Sequence, residues 1–161
     1  MSRWVQTSGL GGRNHSPATD GRKTATMVKS LLERLDMRVP AQATVIPRVR
    51  HAVVEFAESH GLPDPSAVGL AVTEALTNVV LHAYSDGEPG EVRVVVCPEP
   101  ERLVVVVRDW GSGMRPRRDS PGLGVGLPTI ASLADSLDVE DAEGRGTLLR
   151  MQFQRRLSLA A

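Results

Sequence analysis

The sequence predicts an α+β fold: a two-layer sandwich with a mixed, mostly antiparallel sheet and helices on one of its faces. Helical periodicity is concentrated between about residues 45 and 84, whereas β-branched runs cluster after residue 90. Two of those runs, residues 91–97 (EVRVVVC) and 103–109 (LVVVVRD), are separated only by PEPER, which predicts an antiparallel hairpin.

The length and composition exclude several classes of protein. The 161 residues suit one domain, and 19 basic against 19 acidic residues give no broad field for nucleic acid or an anionic membrane. The single cysteine, Cys97, excludes an internal disulfide and suits a reducing compartment. The chain has neither an apolar run of ~18 residues nor the apolar core of a signal peptide. We therefore expect a cytoplasmic protein without a nucleic-acid or membrane partner.

The N-terminal part divides into an extension and the start of the domain. Residues 1–28 are rich in Gly, Ser, Thr and Arg and predict either a disordered extension or a partner-binding arm. Apolar residues then recur through residues 27–41 (MVKSLLERLDMRVPA), and the LDMRVPA part predicts an edge strand closed by Pro40. The domain is expected to span residues 36–154, followed by a tail at 155–161.

Two helices are predicted next. Residues 45–60 carry apolar side chains at helical spacing, and Gly61 is typical of a helix stop. Asp64 and Pro65 form an N-cap and a first-turn proline for a second helix that reaches about Tyr84. Because this helix is apolar nearly all round, we expect it to be buried.

The C-terminal third predicts one short helix and two strands. The helix covers about residues 127–137, and the strands are LDVEDA (137–142) and TLLRMQF (147–153). The turn at residues 143–146 joins them and contains two glycines.

Three polar side chains interrupt the second helix at a spacing of four. Steps of four residues drift by only about 40° around a helix, so Glu74, Asn78 and His82 point the same way. Each polar side chain can simply bond to a neighbouring loop or strand. Alternatively, the stripe forms the floor of a site, where an amide oxygen suits Mg²⁺ and a carboxylate can deprotonate a hydroxyl.

Two glycine-rich segments follow. Asp109 ends a strand and precedes Gly111 and Gly113, so DxGxG is either a tight turn or a site where a carboxylate accepts from an exocyclic amine. Residues 121–128 (PGLGVGLP) lead into a helix and form either an anion site at its N-terminus or a hinge. The segment is neither a Walker A loop nor a Rossmann turn.

The order of these motifs resembles the nucleotide pocket of the GHKL ATPases: ExxxN on a helix, DxGxG at a strand end, GxGxG before a helix, then GxGT. Within that superfamily the chain is most similar to the anti-sigma factor serine kinases of the RsbW and SpoIIAB type. Residues 73–84 (TEALTNVVLHAY), 108–114 (RDWGSGM), 122–135 (GLGVGLPTIASLAD) and 144–153 (GRGTLLRMQF) carry the resemblance, which covers residues 36–154. It implies a Bergerat fold with ATP between helices and sheet.

The resemblance also implies a role for each matched residue. Glu74 is implied as the general base, Asn78 as a Mg²⁺ ligand and Asp109 as the partner of the adenine amino group. Thr147 is implied to support that aspartate. The other residues implied to bind ATP are Gly111, Gly113 and Met114 around the base, and Gly122, Leu123, Gly124, Val125 and Gly126 around the phosphates.

Family resemblance further implies an ATP- and Mg²⁺-dependent kinase that inhibits a sigma factor and phosphorylates a serine of a STAS-type anti-anti-sigma protein. Such kinases are usually homodimers. Arg48, on the first helix, is implied to lie on the partner face, and a solvated surface arginine is the alternative.

One segment departs from the family pattern. Residues 115–121 (RPRRDSP) are shorter than the lid of many relatives. Two alternatives to a kinase therefore stay open: a regulator that binds ATP without catalysis, and a slow stand-alone ATPase. Trp110 is expected to report nucleotide binding because it is adjacent to Asp109 in sequence.

Overall fold

A computed structural model of the chain describes residues 33–84, 90–113, 126–142 and 145–155. Five strands form one sheet in the order β1-β2-β3-β5-β4, and all their pairings are antiparallel. The strands are β1 Leu35–Pro40, β2 Glu91–Pro98, β3 Arg102–Asp109, β4 Ser136–Asp141 and β5 Thr147–Gln154. The helices are α1 Ile46–Ser59, α2 Pro65–His82 and α3 Gly126–Leu133. The predicted two-layer fold is confirmed.

The inner face of the sheet and the helices enclose one core. Strand residues alternate between the two faces, so every second valine or leucine points at the helices. The register aligns these residues across the sheet, as in the row Val94, Val107 and Leu149. The buried inner-face residues of the three central strands are Val92, Val94, Val96, Leu103, Val105, Val107, Leu149, Met151 and Phe153. Valine and leucine thus build a core in a chain with few aromatic residues.

The opposite, outer face of the sheet faces away from the core. Its central row runs Arg38, Arg93 and Arg108 across β1, β2 and β3. Arg93 makes two hydrogen bonds to Asp36, at 2.8 and 2.6 Å. Charged residues therefore occupy much of this face, but not all of it.

The helix boundaries follow from local chemistry. The backbone N–H of Ala67 donates to Asp64 Oδ1 at 3.1 Å, which confirms the predicted N-cap of α2. Gly61 has φ of +70° just after α1, as a glycine stop requires.

Two expectations about the helices were wrong. Helix α3 ends at Leu133 because Asp135 already bonds to the sheet: its N–H donates to Gln152 O at 2.9 Å. Helix α2 is not buried all round, since Leu70 and Leu81 are 43% and 64% exposed. No described helix has both the length and the apolarity needed to cross a bilayer.

Candidate nucleotide site

The polar stripe of α2 runs along a partly buried side of the helix. Glu74, Asn78 and His82 are each half-buried, between the core side of α2 and its exposed side. Glu74 forms no hydrogen bond or ion pair with any residue in the described ranges. No described loop or strand therefore binds the Glu74 carboxylate. The alternative that Glu74 only bonds to a neighbouring loop or strand lacks support within the described residues.

Asn78 lies at the N-terminus of α3. A Cβ added to Gly126, the first residue of α3, would be 2.9 Å from Asn78 Nδ2 and 3.0 Å from Oδ1. The last glycine of the PGLGVGLP segment thus lies against the amide of the ExxxN motif. Free backbone N–H groups at a helix N-terminus favour an anion, so phosphate and a metal ligand would meet here.

Asp109 is the buried carboxylate of the site. It lies on the inner face at the end of β3 and is only 3% exposed. Its Oδ1 accepts the N–H of Gly111 at 2.9 Å, and Thr147 on β5 is near enough to lower the pKa of the carboxyl. That Thr147 supports Asp109 in binding adenine stays a prediction.

Desolvation by burial raises the pKa of the Asp109 carboxyl, and the hydrogen bonds from Gly111 and Thr147 partly oppose this rise. An acceptor held in a desolvated position by neighbouring donors is suited to an amine such as that of adenine.

The DxGxG loop, residues 109–113, packs on the C-terminal end of α2. Ser112 donates its N–H to Ala83 O at 2.7 Å. A Cβ at Gly111 would lie 1.9 Å from that same oxygen, so only glycine fits there. Gly146, with φ of +88°, approaches Asp109 O in the same way from the β4–β5 side.

Tyr84 connects the end of α2 to this loop. Its hydroxyl accepts the N–H of Trp110 at 3.0 Å and donates to Glu91 O at 2.5 Å. Its role is therefore structural.

The side chain of Trp110 does not face the proposed adenine site. Asp109 points inward, so the next residue points outward. The indole lies on the outer face between Arg38 and Arg108, whose guanidinium carbons are 4.9 and 5.1 Å from the ring centroid. That Trp110 fluorescence reports nucleotide binding stays a prediction, and a response would have to reach the indole through the backbone of the DxGxG loop.

The remaining predicted residues fall into two groups. Gly113 lies in the DxGxG loop with φ of +74°, and Arg48 is exposed on α1. The others lie outside the described residues: Met114, Gly122, Leu123, Gly124 and Val125.

The described groups form a line along α2. Glu74 and Asn78 are one turn apart, and Ala83 at the other end carries the DxGxG loop, so the line is about 14 Å long at 1.5 Å per residue. The described residues contain no group of three or more His, Cys, Asp and Glu side chains that could hold a metal. One amide beside a helix N-terminus fits Mg²⁺ that is held mainly by phosphate oxygens and water.

Gly111→Ala is expected to separate the DxGxG loop from α2. A methyl group 1.9 Å from a backbone oxygen cannot be relieved by a rotamer change, so the unfolding free energy should fall by more than about 2 kcal/mol. Denaturant unfolding measures this effect. The matched control is Gly61→Ala, where φ is +70° but no atom lies within 4 Å of the added Cβ, so only about 1 kcal/mol of backbone strain is expected. Equal losses in the two variants would contradict the close approach.

Asp109→Asn is expected to change how stability depends on pH. Because the folded-state pKa of Asp109 is raised, its favourable contribution is present below the unfolded value of 3.8 and is lost as the pH rises through the folded value. The unfolding free energy of Asp109→Asn minus that of the parent should therefore increase from about pH 3 to pH 7. Urea titrations at several pH values measure it, and a difference that decreases with pH would contradict the raised pKa.

Comparison with known proteins identifies the family of the domain. A profile of the histidine kinase-like ATPase domain matches residues 39–153. The serine-protein kinases RsbW of Bacillus mycoides (strain KBAB4) and Bacillus cereus (strain AH187) are each 28% identical over 140 residues, which cover 76% of this chain and 87% of theirs.

The crystal structure of the RsbU and RsbW domains of a Mycobacterium tuberculosis protein has the same fold, with a TM-score of 0.55 at 17% identity. The alignment covers 76% of this chain and 32% of that longer one. These matches confirm the resemblance found in the motifs. The chain belongs to the histidine kinase-like ATPase domain family.

Proposed function

We propose that this protein is an ATP-binding anti-sigma factor with protein-serine kinase activity, acting in the cytoplasm on a STAS-type anti-anti-sigma partner. The observation that carries the proposal is the contact between Asn78 and Gly126, with Glu74 one helical turn away and unpaired within the described ranges. In this proposal a metal ligand, an anion site and a base lie near the middle of α2, and the buried carboxylate Asp109 lies toward its C-terminal end.

Each residue has a defined task in this proposal. The Asp109 carboxylate accepts a hydrogen bond from the adenine amino group, and the packed DxGxG loop limits the space for the base. Asn78 Oδ1 would hold Mg²⁺ beside the N-terminus of α3. Bound Mg-ATP supplies the phosphoryl group and the charge neutralisation that its transfer needs.

Glu74 is proposed to act on the acceptor. Its carboxylate takes the proton of the serine hydroxyl as that oxygen bonds to the terminal phosphorus and the bond to ADP breaks. A general base has to be free to accept a proton, which agrees with the lack of an ion pair to Glu74 among the described residues.

The relatives' name, serine-protein kinase RsbW, supports serine as the acceptor. The sigma factor, the STAS protein and a homodimer are proposals that rest on the family resemblance. Arg48 is exposed on α1, as a partner contact requires.

Incubation of the purified protein with Mg-ATP and candidate STAS-domain proteins tests the proposal. We expect phosphoserine on one partner, detected by mass spectrometry, and capture of a sigma factor by the unmodified kinase. Partner binding without phosphoserine would instead establish the non-catalytic regulator. Steady phosphate release without any partner would establish a stand-alone ATPase.

A further inference from the structure

The outer face of the sheet carries an apolar patch where polar residues are usual. An antiparallel sheet with one covered face normally alternates apolar and polar residues. This alternation fails at four adjacent positions on β2 and β3. The outer patch consists of Val95, Cys97, Val104 and Val106, which the register places side by side as the pairs Val95–Val106 and Cys97–Val104.

Charged residues surround the outer patch and make its boundary sharp. On the β1 side, Asp36 and Arg93 form a bidentate salt bridge. On the other sides lie Arg108 and Arg150, the latter paired in register with Val106. An apolar patch with a polar rim is typical of a surface that another segment or protein covers.

The start of β1 lies beside the outer patch. Leu35, the first residue of β1, pairs with Val96, the residue between Val95 and Cys97. Just before it, Arg34 Nη2 lies 3.3 Å from Asp36 Oδ2, on the outer side of the sheet. The residues that precede β1 are therefore tethered at the border of the outer patch.

The sequence of that preceding segment suits the patch. Its apolar residues, Met27, Val28, Leu31 and Leu32, recur in the sequence at helical spacing, so a helix would place them on one side and Thr26 and Ser30 on the other. A helix of six residues would be about 9 Å long, close to the roughly 10 Å that separate β1 from β3 at about 5 Å per strand. The tether gives it a millimolar effective concentration, which favours it over a second copy of the chain.

We propose that residues 27–32, the arm, pack their apolar side against the outer patch and cover the sheet face opposite the nucleotide site. Cys97 lies in the patch and is the only cysteine of the chain, so it reports directly on this cover. The proposal is independent of the kinase activity.

The test measures the rate at which Cys97 reacts with 5,5′-dithiobis(2-nitrobenzoic acid) in the full chain. Val28→Asp with Leu32→Asp places two charges on the apolar side of the arm, and the thiol should react about tenfold faster. The matched control, Thr26→Asp with Ser30→Asp, adds the same charges at the same spacing on the polar side and should leave the rate unchanged. The rates are measured far below the denaturant midpoint of each variant, so that a faster reaction reports local exposure of Cys97 and not global unfolding.

Two outcomes would overturn the proposal. One is an equal rate in all three proteins at a fixed concentration. The other is a rate that rises on dilution of the parent with a matching loss of dimer in sedimentation, because a second copy would then be the cover. A faster, concentration-independent rate in the apolar-side variant alone would establish the arm.

Discussion

Glu74→Gln is expected to slow phosphoryl transfer to a partner serine by about 10²- to 10⁴-fold, the range that a positioned general base contributes. The substitution keeps the size and helix propensity of the side chain and removes only its ability to take a proton. Because Glu74 has no ion pair within the described ranges, its loss should leave the fold intact. The affinity for Mg-ATP should stay within about twofold, because the base acts in the transition state and not in ground-state binding.

Single-turnover transfer from labelled ATP measures the rate, and calorimetry measures the affinity. Glu55→Gln is the matched control, since Glu55 is an exposed helical glutamate whose Oε1 lies 3.2 Å from His51 Nε2 on α1. That control should transfer phosphate at the parental rate. A Glu74→Gln protein that transfers phosphate as fast as the parent would remove Glu74 from the mechanism.

The central strands, the start of α2 and the edge strand could be predicted from the sequence, because local residue preferences and tertiary packing agree in these elements. The β-branched runs of β2 and β3, the N-cap at Asp64 and the edge strand ending at Pro40 each follow from a residue's own preference. The ExxxN stripe was also predictable, since helix geometry alone puts Glu74 and Asn78 on one side.

Other features depend on contacts that no local pattern contains. The end of α3 is set by Asp135, whose backbone bonds to β5, although the apolar spacing continues to Leu137. Likewise, the need for glycine at position 111 comes from Ala83 O, which is distant in sequence. The side chain of Trp110 lies on the face opposite to that of Asp109, because neighbours in sequence lie on opposite faces of a strand.

The exposed side of α2 also could not be predicted from the local sequence pattern. An apolar helix predicts burial, but each helix of a two-layer domain packs on the sheet with one side and leaves the opposite side to solvent. Leu70 and Leu81 are exposed on the side where Glu74 lies, since positions 70, 74 and 81 fall within about 40° of each other on a helix. A partner serine would have to approach Glu74 over this partly apolar surface.

Asn78→Ala is expected to weaken Mg-ATP binding by about 10- to 100-fold, because a contact to a charged group contributes about 1.5–3 kcal/mol. Among the described residues, the atoms nearest to a Cβ at Gly126, the first residue of α3, belong to the Asn78 amide. The diagnostic result is the metal dependence. In excess EDTA, the parent and the variant should bind ATP with the same weak affinity, because neither then uses the amide as a ligand.

Thr77→Ala is the matched control, a half-buried neighbour on the same turn of α2, and it should keep the parental gain in affinity on addition of Mg²⁺. Denaturant unfolding separates the metal role from a packing role. If Asn78 only packs against Gly126, its replacement should lower stability and weaken ATP binding equally with and without Mg²⁺. If Asn78 holds the metal, the loss of ATP affinity appears only when Mg²⁺ is present, because the amide then contributes to ATP binding through its bond to the ion.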